Sequence, residues 1–187
     1  MTEHAHPATS AGNDPLLVAA RVILWLLIGV LGFAAVMLAI SAPALVIFQD
    51  SILAEMAANG VGKGGQFILP LAGLLLIVAG IVALAIWFLL LLNRIVVSVG
   101  EGDPFVPENA RRLSLMGWIA LAGQLAMLPL GGLAMWLADA FKDVPDFHFD
   151  ADFGIDGSGI LLVLVLFILA RVFRHGTAMR DDLEGTV

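Results

Sequence analysis

Four apolar runs constrain this chain more than any other feature. Val22–Ile40 follows Arg21, Phe67–Leu92 and Leu113–Leu137 contain no charged residue, and Gly157–Ala170 lies between Asp156 and Arg171. A helix crossing the hydrocarbon core needs about 20 apolar residues, range about 17–25. The first three runs reach that length. The fourth holds fourteen uncharged residues, but Arg171 can snorkel, so that Val172 and Phe173 extend the apolar stretch. A re-entrant or surface-lying fourth segment is the alternative.

The distribution of charge favours four spans. Arg21 precedes the first run; Arg94, Arg111 and Arg112 separate the second from the third; Arg171, Arg174 and Arg180 follow the fourth. The other two loops hold only Lys63 and Lys142. Basic residues near membrane ends favour the cytoplasmic face, so both termini are expected inside. Tryptophans agree. Trp25, Trp87 and Trp118 lie within a few residues of Arg21, Arg94 and Arg112, and Trp136 marks the opposite end of the third run. These are aromatic-belt positions. Ser41-Ala42-Pro43-Ala44 offers small residues of the kind a signal peptidase cuts, but the preceding run is longer than a signal core and a retained helix is expected.

Composition points the same way. The 187 residues are 60% hydrophobic and 13% charged, against about 45–50% and about 25% in soluble domains. The length suits one domain. The expected fold is an all-α membrane protein, a bundle of four transmembrane helices with spans of about 18–42, 67–93, 113–137 and 157–173. Residues 1–15 read as a disordered tail and 16–187 as a single membrane domain. Cysteine is absent, which removes disulfides, thiolate metal sites, cysteine nucleophiles and palmitoylation.

The spans carry little chemistry. No Asp, Glu, Lys, Arg or His lies in 22–49, 67–93 or 113–137, whereas proton relays and ion paths need such groups to replace water. Gln124 is the notable polar residue, near the middle of the third span. An interhelical hydrogen bond is its structural reading and a polar pathway lining its functional one. Pro129 removes a helical N–H and crowds the Leu125 carbonyl, so a kink is expected there. Ala35/Ala39, Ala79/Ala83 and Ala122/Ala126 have helix-packing spacing.

The loops expected outside offer two weak patterns. In 138–156, Asp146, His148, Asp150 and Asp152 alternate with Phe147, Phe149, Ala151 and Phe153, as in a half-buried strand. A cation site would use the first set, but the glycine and terminal glutamate of a calcium loop are missing. A solvated acidic face is the preferred reading. Asn59-Gly-Val-Gly-Lys-Gly-Gly65 lacks the Gly-Lys-Ser/Thr end of a phosphate loop and reads as a flexible turn. No catalytic, cofactor-binding or metal-binding residue is assigned, and no direct nucleic-acid binding is expected.

The hairpin between the second and third spans is the richest segment. Gly100 and Gly102 can end the second helix through a left-handed cap. Asp103-Pro104 makes a turn, and Pro107 suits the first position of the next helix. Glu108 then favours the helix dipole and can pair with Arg112. Phe105, at the tip, either inserts at the interface, packs between the two helices or meets a partner.

Gly102, Pro104, Phe105, Asn109 and Leu113, with Phe173-Arg174-His175-Gly176, Asp181-Asp182 and Thr186-Val187, resemble the family catalogued as domain of unknown function 2975. Gly185 stands where many relatives have a larger residue. The resemblance implies a bacterial four-span inner-membrane protein, with no catalytic residues to carry over. It also implies a helix-turn-helix regulator as a cytoplasmic partner, because such regulators are often encoded beside members. Candidate partner-binding residues are Arg94, Gly102, Asp103, Pro104, Phe105, Asn109, Arg111 and Arg112. The arginines could clasp Asp181, Asp182 and Glu184 of the tail, or bind lipid headgroups. The lipid bilayer is an expected partner, homo-oligomerisation is compatible with the small-residue stripes, and a subunit of an oligomeric transporter or channel is the rival function.

Overall fold

The computed structural model describes residues 14–58, 65–140, 154 and 156–184. These form five helices: α1 (Pro15–Ile47), α2 (Gln49–Ala58), α3 (Gly65–Gly100), α4 (Pro107–Ala140) and α5 (Gly157–Glu184). Four stretches are long and apolar enough to cross a bilayer, within α1, α3, α4 and α5. Each helix outlasts its apolar run. The extra turns form at the ends, which carry polar residues such as Arg94, Arg174 and Arg180.

Local signals explain the boundaries. The Asp14 side chain accepts a hydrogen bond from the Leu16 N–H at 3.0 Å, and Pro15 occupies the first turn of α1. Two residues read as tail therefore start the helix; residues 1–13 lie outside those described. Pro43, Pro70 and Pro129 all sit inside helices, so α4 continues through the expected kink position. Short helix α2 occupies a segment read only as a loop. The alternating stretch 146–152 and the glycine run 59–64 lie outside the described residues.

Consecutive long helices run antiparallel and pack in chain order: α1 on α3, α3 on α4 and α4 on α5. The core lies toward the hairpin end, where Leu91, Leu113, Met116, Ile119, Leu166 and Ala170 are buried together, flanked by Phe88, Ile95 and Phe173. Leu113, Met116 and Ala120 recur at three- and four-residue intervals and so share a face of α4.

The small-residue pairs are only partly packed: Ala35, Ala79 and Ala126 are half-buried and Ala39, Ala83 and Ala122 exposed, while Ala42, Ala72, Ala110, Ala134 and Ala170 are buried. Because every face of these helices is apolar, spacing alone does not reveal which face meets a neighbour. Gly117 does behave as expected: a Cβ there would come within 3.1 Å of the Phe167 ring. The same ring meets Trp118 edge-on at 5.4 Å between centroids. All four tryptophans are at least half exposed, as a lipid-facing belt requires.

Candidate functional site

The α3–α4 hairpin is built on a Schellman turn. Gly102 adopts φ 85°, the left-handed conformation that a Cβ disfavours. The Asp103 N–H donates to the Ser98 carbonyl at 3.2 Å and the Gly102 N–H to the Val99 carbonyl at 3.1 Å. These bonds satisfy carbonyls left over at the end of α3. Pro107 opens α4, with Glu108 in its first turn.

Asn109 ties the turn together. It is fully buried. Its Nδ2 donates to Ser98 Oγ at 2.6 Å and to the Pro104 carbonyl at 2.9 Å, while its Oδ1 accepts from the Arg112 guanidinium at 2.8 Å. Both amide protons are thus used, and one side chain links the end of α3, the connecting turn and the start of α4. Arg112 also reaches the Arg94 carbonyl at 3.4 Å. Among the described residues Arg112 makes no ion pair with Glu108, which corrects that expectation: the buried Asn109 oxygen offers a drier acceptor than the exposed carboxylate.

The hairpin is fastened to α5 in two places. Phe105 packs on Phe173, with ring centroids 5.2 Å apart, and lies over Gly176, where a Cβ would approach the ring to 2.9 Å. It is still 44% exposed. Of the three roles open to Phe105, the structure gives it a packing one, against α5 rather than between α3 and α4. Asp103 forms a salt bridge with Arg180 across the hairpin–tail boundary. Here the acid is on the hairpin and the base on α5, while the clasp expected of Asp181, Asp182 and Glu184 rests on side chains outside those described. Arg94 and Arg111 remain exposed on the surface.

Six of the eight candidate residues, Arg94, Gly102, Asp103, Pro104, Asn109 and Arg112, take part in this connected turn. Phe105 joins it to α5, and Arg111 stands apart on the outer face. Ser98, which sequence reasoning missed, is the second polar centre: its Oγ accepts from Asn109 and donates to the Ile95 carbonyl at 2.8 Å. Arg21 belongs to the same end of the molecule, its guanidinium lying over Gly100. Its Nε and Asn93 Oδ1 are buried without a hydrogen-bond partner among the described residues.

Of the segments that resembled a known family, Gly102, Pro104, Phe105, Asn109 and Leu113 and Phe173–Gly176 lie at this end. The family described as "Protein of unknown function (DUF2975)" matches residues 11–187. The chain belongs to this family. The DUF2975 match spans all four long helices and the hairpin, so the site described above is part of the family's common extent. No curated protein and no solved structure matches the chain.

At the opposite end, Asp156 precedes α5. It accepts hydrogen bonds from the Ser158 N–H at 3.2 Å and from the Ser158 hydroxyl. The Ser158 side-chain bond, followed by the backbone bond, holds its carboxyl below its ordinary value. Gln124 faces α5 within the membrane-length region, with its amide directly over Gly159. No group of three or more acidic, histidine or cysteine side chains converges on a metal-sized site among the described residues.

Proposed function

We propose that this protein is a non-enzymatic anchor in the bacterial cytoplasmic membrane. Its arginine-rich end faces the cytoplasm with both termini, and its hairpin docks a soluble helix-turn-helix regulator. One observation carries the reading: the buried Asn109 hub fixes the hairpin's shape through polar bonds. A preformed surface of this kind reduces the ordering cost of binding a partner. Exposed Arg94 and Arg111 then present guanidinium groups to acidic side chains on the partner. The positive-inside bias supports the orientation.

A photo-crosslinking amino acid in place of Arg111, activated in intact cells, tests this. Capture of a soluble helix-turn-helix protein, lost in Asn109→Ala, is the expected outcome. Capture of lipid or of a second copy of this chain alone would refute it.

A second reading, a transport path, has its own observation: Gln124 lines a cleft between the long helices. Solute flux through liposomes that Gln124→Leu leaves unchanged would count against that reading.

A further inference from the structure

Midway along the long helices lies a cleft of ≈ 610 Å³. All four long helices contribute to it, α1 through Leu31, α3 through Ala85 and Phe88, α4 through Gly123 and Gln124, and α5 through Leu162. Among the described residues α1 and α5 do not pack on each other, so the row of helices does not close there. Leu31 is ten residues past Arg21 and Gln124 twelve past Arg112, which places them roughly 15 and 18 Å from the arginine-rich end. In a hydrocarbon core about 30 Å thick, that is mid-bilayer.

We propose that this cleft binds the acyl chain of a membrane lipid, entering between α1 and α5. The volume lies within the range of about 300–1,000 Å³ typical of small-molecule sites, which are likewise mostly apolar with a few placed polar groups. Here the polar groups are the Gln124 amide within the cleft and the Asp156 carboxylate at its end. No ionisable side chain lies in the α3 and α4 walls that would hold water at this depth. The surrounding medium at this depth is itself acyl chain, and the cleft offers it contacts on several sides instead of one. Gly123 helps create the space: a Cβ built on it meets nothing within 4 Å. This inference is independent of any partner at the hairpin.

The test uses the full chain in nanodiscs containing a phosphatidylcholine with a diazirine in its acyl chain. After photolysis, mass spectrometry maps the adducts. Adducts are expected on Leu31 and on the otherwise buried Ile119, in addition to outward-facing positions such as Phe33 and Leu164. Gly123→Phe should fill the cleft, lowering the cleft adducts about tenfold while leaving the outward ones unchanged. Ala85→Phe fills the same space from α3 and should act alike, which keeps the test decisive if one variant misfolds. Wild-type adducts confined to outward positions, or cleft adducts that survive in the folded variants, would overturn the proposal.

Discussion

Replacing Asn109 with alanine should open the hairpin without unfolding the helices. The side chain makes two neutral hydrogen bonds, to Ser98 Oγ and the Pro104 carbonyl, and one with the charged Arg112 guanidinium. Neutral bonds contribute about 0.5–1.5 kcal/mol each and bonds to charged groups about 1.5–3 kcal/mol. Not all of this is lost. Ser98 keeps its bond to the Ile95 carbonyl, and Arg112, half-buried, keeps the Arg94 carbonyl. The Pro104 carbonyl loses its side-chain donor. A net cost of about 2–4 kcal/mol follows. At 1.4 kcal/mol per factor of ten, the local opening equilibrium should rise roughly 30- to 700-fold. Hydrogen exchange reads this at the Gly102 and Asp103 amides, whose bonds to Val99 and Ser98 belong to the turn. Their protection should fall by that factor while amides near Leu166 keep theirs. A change below about threefold at Gly102 and Asp103 would refute the hub.

Other perturbations have defined outcomes. Gly159→Ala places a methyl group on the Gln124 amide and should cost about 1–3 kcal/mol, measured by unfolding in mixed micelles. Adding Gln124→Ala should recover most of that loss, so a double-mutant cycle with no coupling would contradict the contact. Gly102→Ala should cost about 1–2 kcal/mol through its left-handed φ, read as faster exchange in the hairpin. Breaking the exposed Asp103–Arg180 bridge with Asp103→Asn should cost less than about 1 kcal/mol, and the effect should shrink in high salt. Asp156, with its carboxyl held below the usual carboxylate range by the Ser158 hydroxyl and N–H, contributes stability above that range and loses it as pH falls through the lowered value. Titration followed at the Ser158 amide should show this, and Ser158→Ala should move the midpoint upward.

Local chemistry in the hairpin was legible in the sequence. Gly102 and Pro107 act within a few residues of themselves, so their spacing alone places the cap and the helix start. Asn109 was recognisable as a candidate, but its bond to Ser98 crosses the whole turn, and nothing in the local pattern marks Ser98 as the acceptor. The Phe105–Gly176 contact is still less local, because it depends on how α5 returns to the hairpin. Within the spans the limit is different. Helices that are apolar all round carry no amphipathic stripe, so their sequence does not say which face meets a neighbour. That is why Ala39, Ala83 and Ala122 proved exposed and why the cleft beside Gln124 could not be foreseen. Helix α2 escaped notice because its ten residues have little amphipathic pattern.

Every functional statement about the hairpin depends on its facing the cytoplasm together with the tail. The absence of cysteine makes that directly measurable. Single substitutions Arg111→Cys, Arg174→Cys and Glu55→Cys can be probed in intact cells with a membrane-impermeant maleimide, before and after permeabilisation. The first two should label only after permeabilisation and the third at once. Immediate labelling at 111, or labelling of 111 and 174 from opposite sides, would contradict the account.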